Sequence, residues 1–349
     1  MVDNFRGMST QSIPKNGQQK LRFYNWIVIP IALFVGLFLG LVIGNILLDK
    51  GISNEPPVRL RGFQFTSPLL YNNNPKEIYE FKPLVSKLQE SVFDLLNSPK
   101  VASVSIYFRD LSSGRWTGIN ENANYDPASL LKVPIMIAWL KKAEADPRVL
   151  SEKLFYKGEA QDNQGIQFHS LSPKSWYTVD ELITTMITKS DNDAKDLLVT
   201  SIDLPTLKKV FSDLNIQTVG NDLNSKYLIS AKTYSLFFRV LYNATYLDQG
   251  LSEKALALLS KTNFNQGIIP GIPSSIAVAH KFGQYGGDYD LKTNIITPRE
   301  LHDCGIVYYP ARPYLLCAMT VGTASLDDLN EIIQTISKVV YQEVGNNYQ

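Results

Sequence analysis

Cysteine and histidine are scarce in this 349-residue chain: two of the first, Cys304 and Cys317, and three of the second, His169, His280 and His302. Two cysteines cannot make a disulfide framework. They flank an expected hairpin, so they are either bonded across it or are two small buried apolar residues; the second is the plainer reading. The histidines are scattered, and none joins a cysteine at metal-ligand spacing, so no metal or other cofactor is expected. An excess of charge of one sign is lacking too. Lys and Arg number 34 against 33 Asp and Glu, a net charge of +1. That argues against nucleic acid as the main partner, since phosphate binding needs a basic surface. Internal repeats and long low-complexity tracts are absent. Glutamate is missing over one long stretch, from Glu181 to Glu253, an absence that matters below.

A long hydrophobic run occurs once. Phe23 to Leu48 reads FYNWIVIPIALFVGLFLGLVIGNILL, and roughly 20 apolar residues suffice to cross a bilayer as a helix. The run exceeds a signal-peptide core, and no A-x-A cleavage pattern follows it. Arg6, Lys15, Lys20 and Arg22 precede it against a single Asp3. The positive-inside rule then keeps residues 1–22 in the cytoplasm and exports the rest. Trp26 and Tyr24 stand where interfacial aromatics would. The expectation is a transmembrane anchor over 23–48, with a cleaved signal peptide as the alternative. Residues 49–78, rich in Pro, Asn and Gly, read as a linker. The remainder, 79–349, is one exported domain; apolar residues make up 44% of the chain, enough for a sizeable core.

Within the domain the apolar spacing predicts a helix over Ile78–Leu96 and strands over Val101–Phe108 and Trp116–Ile119. A strongly apolar helix follows from Ser129 to Ala145. Further helices are predicted over 178–188, 194–202, 204–214, 231–244 and 252–259. Strands return over 277–282, 305–309 and 314–321, and an amphipathic helix, 325–341, closes the domain. This order predicts an α+β fold. Strands from both ends combine into one antiparallel sheet, terminal helices cover one face, and the middle block forms a helical lobe.

Three short motifs fall on the expected border between sheet and lobe. In Ser129-Leu130-Leu131-Lys132, positions i and i+3 share a helix face. Ser129 there meets the free N–H groups of a helix start, which favour developing negative charge. A serine hydroxyl is a weak nucleophile until a base takes its proton, and Lys132 is that base if burial or a neighbouring cation lowers its pKa. Ser190-Asp191-Asn192 lies between two helices. Ser190 would pass a proton to the leaving group, Asn192 would bond the substrate amide or Lys132, and Asp191 would hold the loop. Lys281-Phe282-Gly283 ends a strand. Lys281 would polarise Ser190 or face a carboxylate, and Gly283 would let a substrate backbone lie close. The N–H groups of Ser129 and Gln284 would form an oxyanion hole. Each motif alone has a plain structural reading: a helix cap, a polar turn, a strand end. Their order in one exported chain gives them weight, because together they supply nucleophile, base, proton relay and anion-facing strand.

S-x-x-K, S-D-N and K-x-G in this order, carried by YDPASLLKVPIMIAWL, ITKSDNDAKDLL and HKFGQYGG, resemble the penicillin-recognising serine hydrolases. The nearest resemblance is to class A β-lactamases, with D-Ala-D-Ala peptidases as cousins, over residues 79 to 345. It implies a β-lactamase/transpeptidase-like fold and an acyl-enzyme on Ser129. Lys132 would activate that serine, Ser190 and Lys281 would relay its proton, and Asn192, Phe282, Gly283 and Gln284 would contact substrate. It implies a β-lactam or peptidoglycan-type substrate; joined to the apolar run at 23–48, the expectation is a single-pass protein of the bacterial cell membrane.

Two departures stand out. The family carries a glutamate in a long loop between S-D-N and K-x-G that positions water for deacylation; the corresponding region here, Thr218 to Asn224, is short and has none. Leu223-Asn224 resembles the end of that loop, with Asp222 as a shorter-armed substitute. Phe282 replaces the usual hydroxyl residue, which bears on carboxylate recognition. A penicillin-binding peptidase with slow deacylation, an esterase or amidase for another substrate, and a catalytically silent envelope protein of the same fold are therefore the alternatives.

Overall fold

In the computed structural model the described residues are Gly36, 58–71, 82–96, 99–158, 169–216, 227–287, 289–290 and 295–346. The apolar run at 23–48 lies outside them save Gly36. Among the described residues no helix is long and apolar enough to cross a membrane.

The β-branched and aromatic residues of VASVSIYFRD and the near-continuous apolar run YLLCAMTVG form the two central paired strands of the sheet, buried on both faces. Helix α1 (Lys82–Leu96) precedes β1 (Val101–Asp110) and β2 (Trp116–Ile119). The lobe follows as α2 (Lys132–Ala145), α3 (Val179–Thr188), α4 (Asn192–Ser201), α5 (Leu204–Asp213), α6 (Ala231–Tyr242) and α7 (Gln249–Leu259). The chain returns through β3 (Val278–Tyr285), β4 (Arg299–Val307) and β5 (Tyr314–Gly322) and ends in α8 (Leu326–Asn346). The sheet is antiparallel in the order β2-β1-β5-β4-β3. The N-terminal and C-terminal strands thus meet at β1–β5, as the sequence pattern predicts.

Alternate residues of the sheet serve two cores. On one face Val104, Ile106, Phe108, Leu316 and Ala318 pack against Leu84 and Leu88 of α1 and Ile332, Ile333, Ile336 and Val340 of α8. On the other, Tyr107, Ile306, Leu315 and Met319 pack against the lobe. Helix α2 is apolar all round because it runs through the middle of that second core. Val133, Met136, Ile137, Ala138, Trp139 and Leu140 are all buried. Pro134 lies in its first turn, where no intrahelical donor is lost. Burial of each large apolar side chain here stabilises by about 1.5–3 kcal/mol, so the helix that begins at Lys132 is among the most firmly held segments.

Two findings differ from the sequence reading. Residues 58–71, expected as linker, fold onto the domain. Arg59 donates to Ser67 O, Asn243 Oδ1 and Leu111 O, each at 2.7 Å. The Glu253 carboxylate accepts the backbone N–H groups of Gln64, Phe65 and Thr66. Composition alone signals a linker; these long-range side-chain partners override it. Cys304 and Cys317 are directly opposed across the β4–β5 ladder and form a disulfide, so the plainer reading of two unbonded thiols is corrected. Strand register brings them together, which spacing alone does not reveal.

The bridge closes a loop of sequence separation 13. Constraint of the unfolded chain over such a loop is worth about 3 kcal/mol. Urea unfolding with reductant present is expected to show a stability lower by about that amount. Identical curves with and without reductant would contradict the bond.

Candidate active site

The nucleophile candidate sits on a strained turn. A 3₁₀ turn, Ala128–Leu131, runs directly into α2, so Ser129 lies just before the α-helix rather than opening it as expected. The i, i+3 relation survives, because residues three apart eclipse in a 3₁₀ turn. Ala128 has φ +48°, a left-handed conformation that costs a non-glycine residue on the order of 1–3 kcal/mol. Three contacts hold the turn. Asp126 Oδ1 accepts the Ala128 N–H at 2.9 Å. Pro127 O accepts the Leu130 N–H at 2.9 Å. The buried hydroxyl of Tyr234 on α6 donates to Leu130 O at 3.0 Å.

Lys132 is 1% exposed, and its Nζ is ringed by oxygens. It lies 3.0 Å from Ser129 Oγ, 2.5 Å from Ser190 O, 2.8 Å from Asn192 Oδ1 and 3.2 Å from Ser190 Oγ. An ammonium has three protons for these four oxygens. A neutral amine has two protons and a lone pair, and can accept the proton of a serine hydroxyl instead. Burial pulls the Lys132 pKa down to about 7, helped by Lys195 on α4 and opposed by Asp191 and Asp196. Near neutral pH the amine is thus poised between its two forms, the condition for a general base.

Ser190 precedes α4 in a second left-handed conformation, φ +54°, and is fully buried. Asp191 caps α4, its Oδ1 accepting Ala194 N–H at 2.8 Å. That cap fixes Asn192 at the helix start with its amide oxygen on Lys132. Lys281 on β3 approaches from the opposite side. Its Nζ donates to Ser190 Oγ and to Phe282 O, each at 2.9 Å. Burial lowers the Lys281 pKa well below its ordinary value; Lys132 lowers it further, and Asp303 opposes. Ser190 Oγ therefore stands between two buried amines.

Asp303 was not singled out from the sequence. It is fully buried on β4, with Oδ1 2.8 Å from His280 Nδ1 and Oδ2 accepting Ile268 N–H at 2.9 Å. The signal was available only in register: Asp303 stands opposite Phe282, next to the strand position of Lys281. Lys195 also went unnoticed, although it lies three residues beyond Asn192.

The strand residues divide. A Cβ on Gly283 would lie 2.7 Å from Pro127 O and 3.3 Å from Leu130 N, so glycine is what lets β3 close onto the nucleophile turn. Gln284 follows opposite Leu301, on the edge strand. Phe282, read as a substrate contact, is 5% exposed and stacked on Phe264 with ring centroids 4.1 Å apart. Lys281 Nζ lies 4.0 Å from its ring centroid. Its ring is interior and leaves little surface for a ligand. Residues 217–226, with Asp222, Leu223 and Asn224, lie outside the described residues.

Residues 84–344 match the model of the Beta-lactamase enzyme family. Among solved structures the chain is similar to PBP-A, with 23% identity, 78% of this chain and 98% of that chain covered, and a TM-score of 0.64. A substituted PBP-A, solved as its acyl-enzyme complex with penicillin G, gives 22% identity, 78% and 99% coverage and a TM-score of 0.64. A beta-lactamase from Sphaerobacter thermophilus gives 18% identity, 76% and 98% coverage and a TM-score of 0.62. At such identities the structural likeness speaks to fold. No curated protein matches in sequence.

Gly283→Ala is expected to destabilise the domain by about 1–3 kcal/mol, because the nearest atom the new Cβ meets, Pro127 O, is backbone and cannot swing away. Chemical unfolding reads this directly; wild-type stability in the variant would contradict the close approach.

Proposed function

Because the chain belongs to the Beta-lactamase enzyme family, a family of serine hydrolases, we propose that it opens β-lactams or related amides through an ester on Ser129. The observation that carries this reading is the buried Lys132 amine, 3.0 Å from Ser129 Oγ and lowered to a pKa of about 7.

In the proposed reaction, neutral Lys132 takes the proton of Ser129 as Oγ attacks the amide carbonyl carbon. The oxyanion is held by the N–H groups of Ser129 and Gln284. The tetrahedral intermediate collapses as the C–N bond breaks. The leaving nitrogen takes a proton through Ser190, whose hydroxyl is held by Lys281 and which Lys132 can recharge. Asn192 holds Lys132 on one side and offers its amide to the substrate on the other. Attack of water on the ester then frees the enzyme. The apolar run at 23–48 and the cations before it support a single-pass anchor in a bacterial cell membrane, with the hydrolase outside.

A second reading, a D-Ala-D-Ala carboxypeptidase-like penicillin-binding protein with slow deacylation, is favoured by one specific feature: no glutamate lies between Glu181 and Glu253 to position water. The similar PBP-A variant has been solved as a penicillin G acyl-enzyme, which supports this reading. A silent envelope protein is disfavoured, because burying two lysines against two serines and an asparagine gives a scaffold nothing.

Intact-mass spectrometry of the chain mixed with benzylpenicillin, followed over time, distinguishes these readings. A penicilloyl adduct on Ser129 is expected in either case: a transient one with hydrolysed drug under the first reading, a long-lived one under the second. Ser129→Ala is expected to fold and form no adduct; labelling retained in that variant would remove Ser129 as nucleophile. Lys132→Ala is expected to slow acylation by on the order of 10²–10⁴-fold.

A further inference from the structure

Two of the polar side chains on strand β4 that the acyl-transfer scheme does not use lie close to the nucleophile turn. Glu300 and His302 are two apart on a strand, so both project from one face, the face on which Cys304 and Ile306 meet the lobe. His302 is fully buried and stands opposite Gly283. Its Nε2 lies 2.9 Å from Asp126 O and 3.2 Å from Glu300 Oε2. Glu300 Oε2 also accepts the backbone N–H of Asp126 at 2.9 Å. Both neighbours of His302 Nε2 are acceptors, so that nitrogen carries the proton and donates. Nδ1 is buried with no hydrogen-bond partner among the described residues. A buried polar atom left in that state costs stability and calls for a compensating role.

The role lies in what the pair holds. Glu300 and His302 together occupy both backbone polar groups of Asp126. Asp126 Oδ1 then accepts the N–H of Ala128, the residue with φ +48°, and Ser129 is next. The ring of Tyr125 meets His302 edge-on at 5.5 Å, closing the other side. The strap leading to the nucleophile is thus tied to the sheet immediately before its strained residue.

We propose that Glu300 and His302 are positioning residues for Ser129. By holding Asp126 against β4 they keep Ala128 left-handed, and so aim the N–H and Oγ of Ser129. Neither touches a reacting atom. The inference rests on the reading of Ser129 as nucleophile.

The test uses the full chain with His302→Ala and His302→Gln. Glutamine can donate an amide N–H to Asp126 O; alanine cannot. Saturation kinetics with a fluorescent penicillin separate binding from the limiting acylation rate. For His302→Ala that rate is expected to fall on the order of 10- to 100-fold, with binding unchanged, and His302→Gln is expected to recover most of it. If the role were only structural, the melting temperature would fall while the rate per folded molecule stayed at the wild-type value; that result would overturn the proposal. A crystal structure of His302→Ala gives a readout independent of activity. Ala128 is expected to leave the left-handed region and Ser129 Oγ to move off Lys132. An unmoved strap would overturn the positioning whether or not the wild type is acylated. A moved strap in a chain whose wild type is never acylated would uphold the positioning and defeat the proposed function alone. Should His302→Ala fail to fold, Glu300→Ala removes the other anchor at a more exposed position, and the same split between rate and binding is expected.

Discussion

One constraint organises this structure: two lysine side chains, Lys132 and Lys281, are buried within reach of the same serine hydroxyl. Burying an ammonium without compensation is expensive, and two together repel as well. Among the described residues this is met with oxygens rather than with ion-pair partners at hydrogen-bond distance. Ser129, Ser190, Asn192 and the carbonyls of Ser190 and Phe282 converge on the two amines. The residual cost appears as the depressed pKa of both. For Lys132 the sign of the consequence follows from linkage. Below about pH 7 it is protonated in both folded and unfolded chains, and the fold bears the desolvation cost. As the pH rises from there toward its ordinary value of 10.5, only the unfolded chain retains the proton, so this residue's contribution becomes less unfavourable.

Every neighbouring element serves to hold those oxygens in place. The apolar helix α2 fixes Lys132 because its other faces are locked in the lobe core. The Asp191 cap sets the start of α4 and hence Asn192. The glycine at 283 lets an edge strand close on the nucleophile turn. Two left-handed residues, Ala128 and Ser190, lie within one residue of a reacting hydroxyl or carry it. Strain of this kind persists only where surrounding contacts over-determine the backbone, and the hydrogen bonds from Asp126, Tyr234 and Lys132 do so here.

Much of this was legible in the sequence, and the reasons are local. Helical spacing and runs rich in apolar and β-branched residues located the lobe helices and sheet strands, because most helices bury one stripe while the inner strands bury both faces. The i, i+3 spacing of Ser129 and Lys132 predicted their contact even though the turn proved to be 3₁₀. Three things depended on tertiary pairing and were not legible. The Cys304–Cys317 bond needs the β4–β5 register. The docking of residues 58–71 needs Arg59 and Glu253 to find partners far along the chain. The interior stacking of Phe282 on Phe264 needs the side of β3 that faces the terminal helices. Asp303 and the Glu300–His302 pair belong to the same class, since strand alternation shows that two side chains share a face but not what they hold.

The central claim is that the buried Lys132 amine gives up its proton near neutral pH, far below an ordinary lysine. Its side chain can be titrated by NMR in the chain carrying isotopically labelled lysine, with Lys132→Arg identifying the signal. A midpoint near pH 7 is the predicted result, with the resonance of a neutral amine above it. A midpoint close to that of an exposed lysine would contradict the account, because an ammonium at that position has no lone pair with which to take the proton of Ser129.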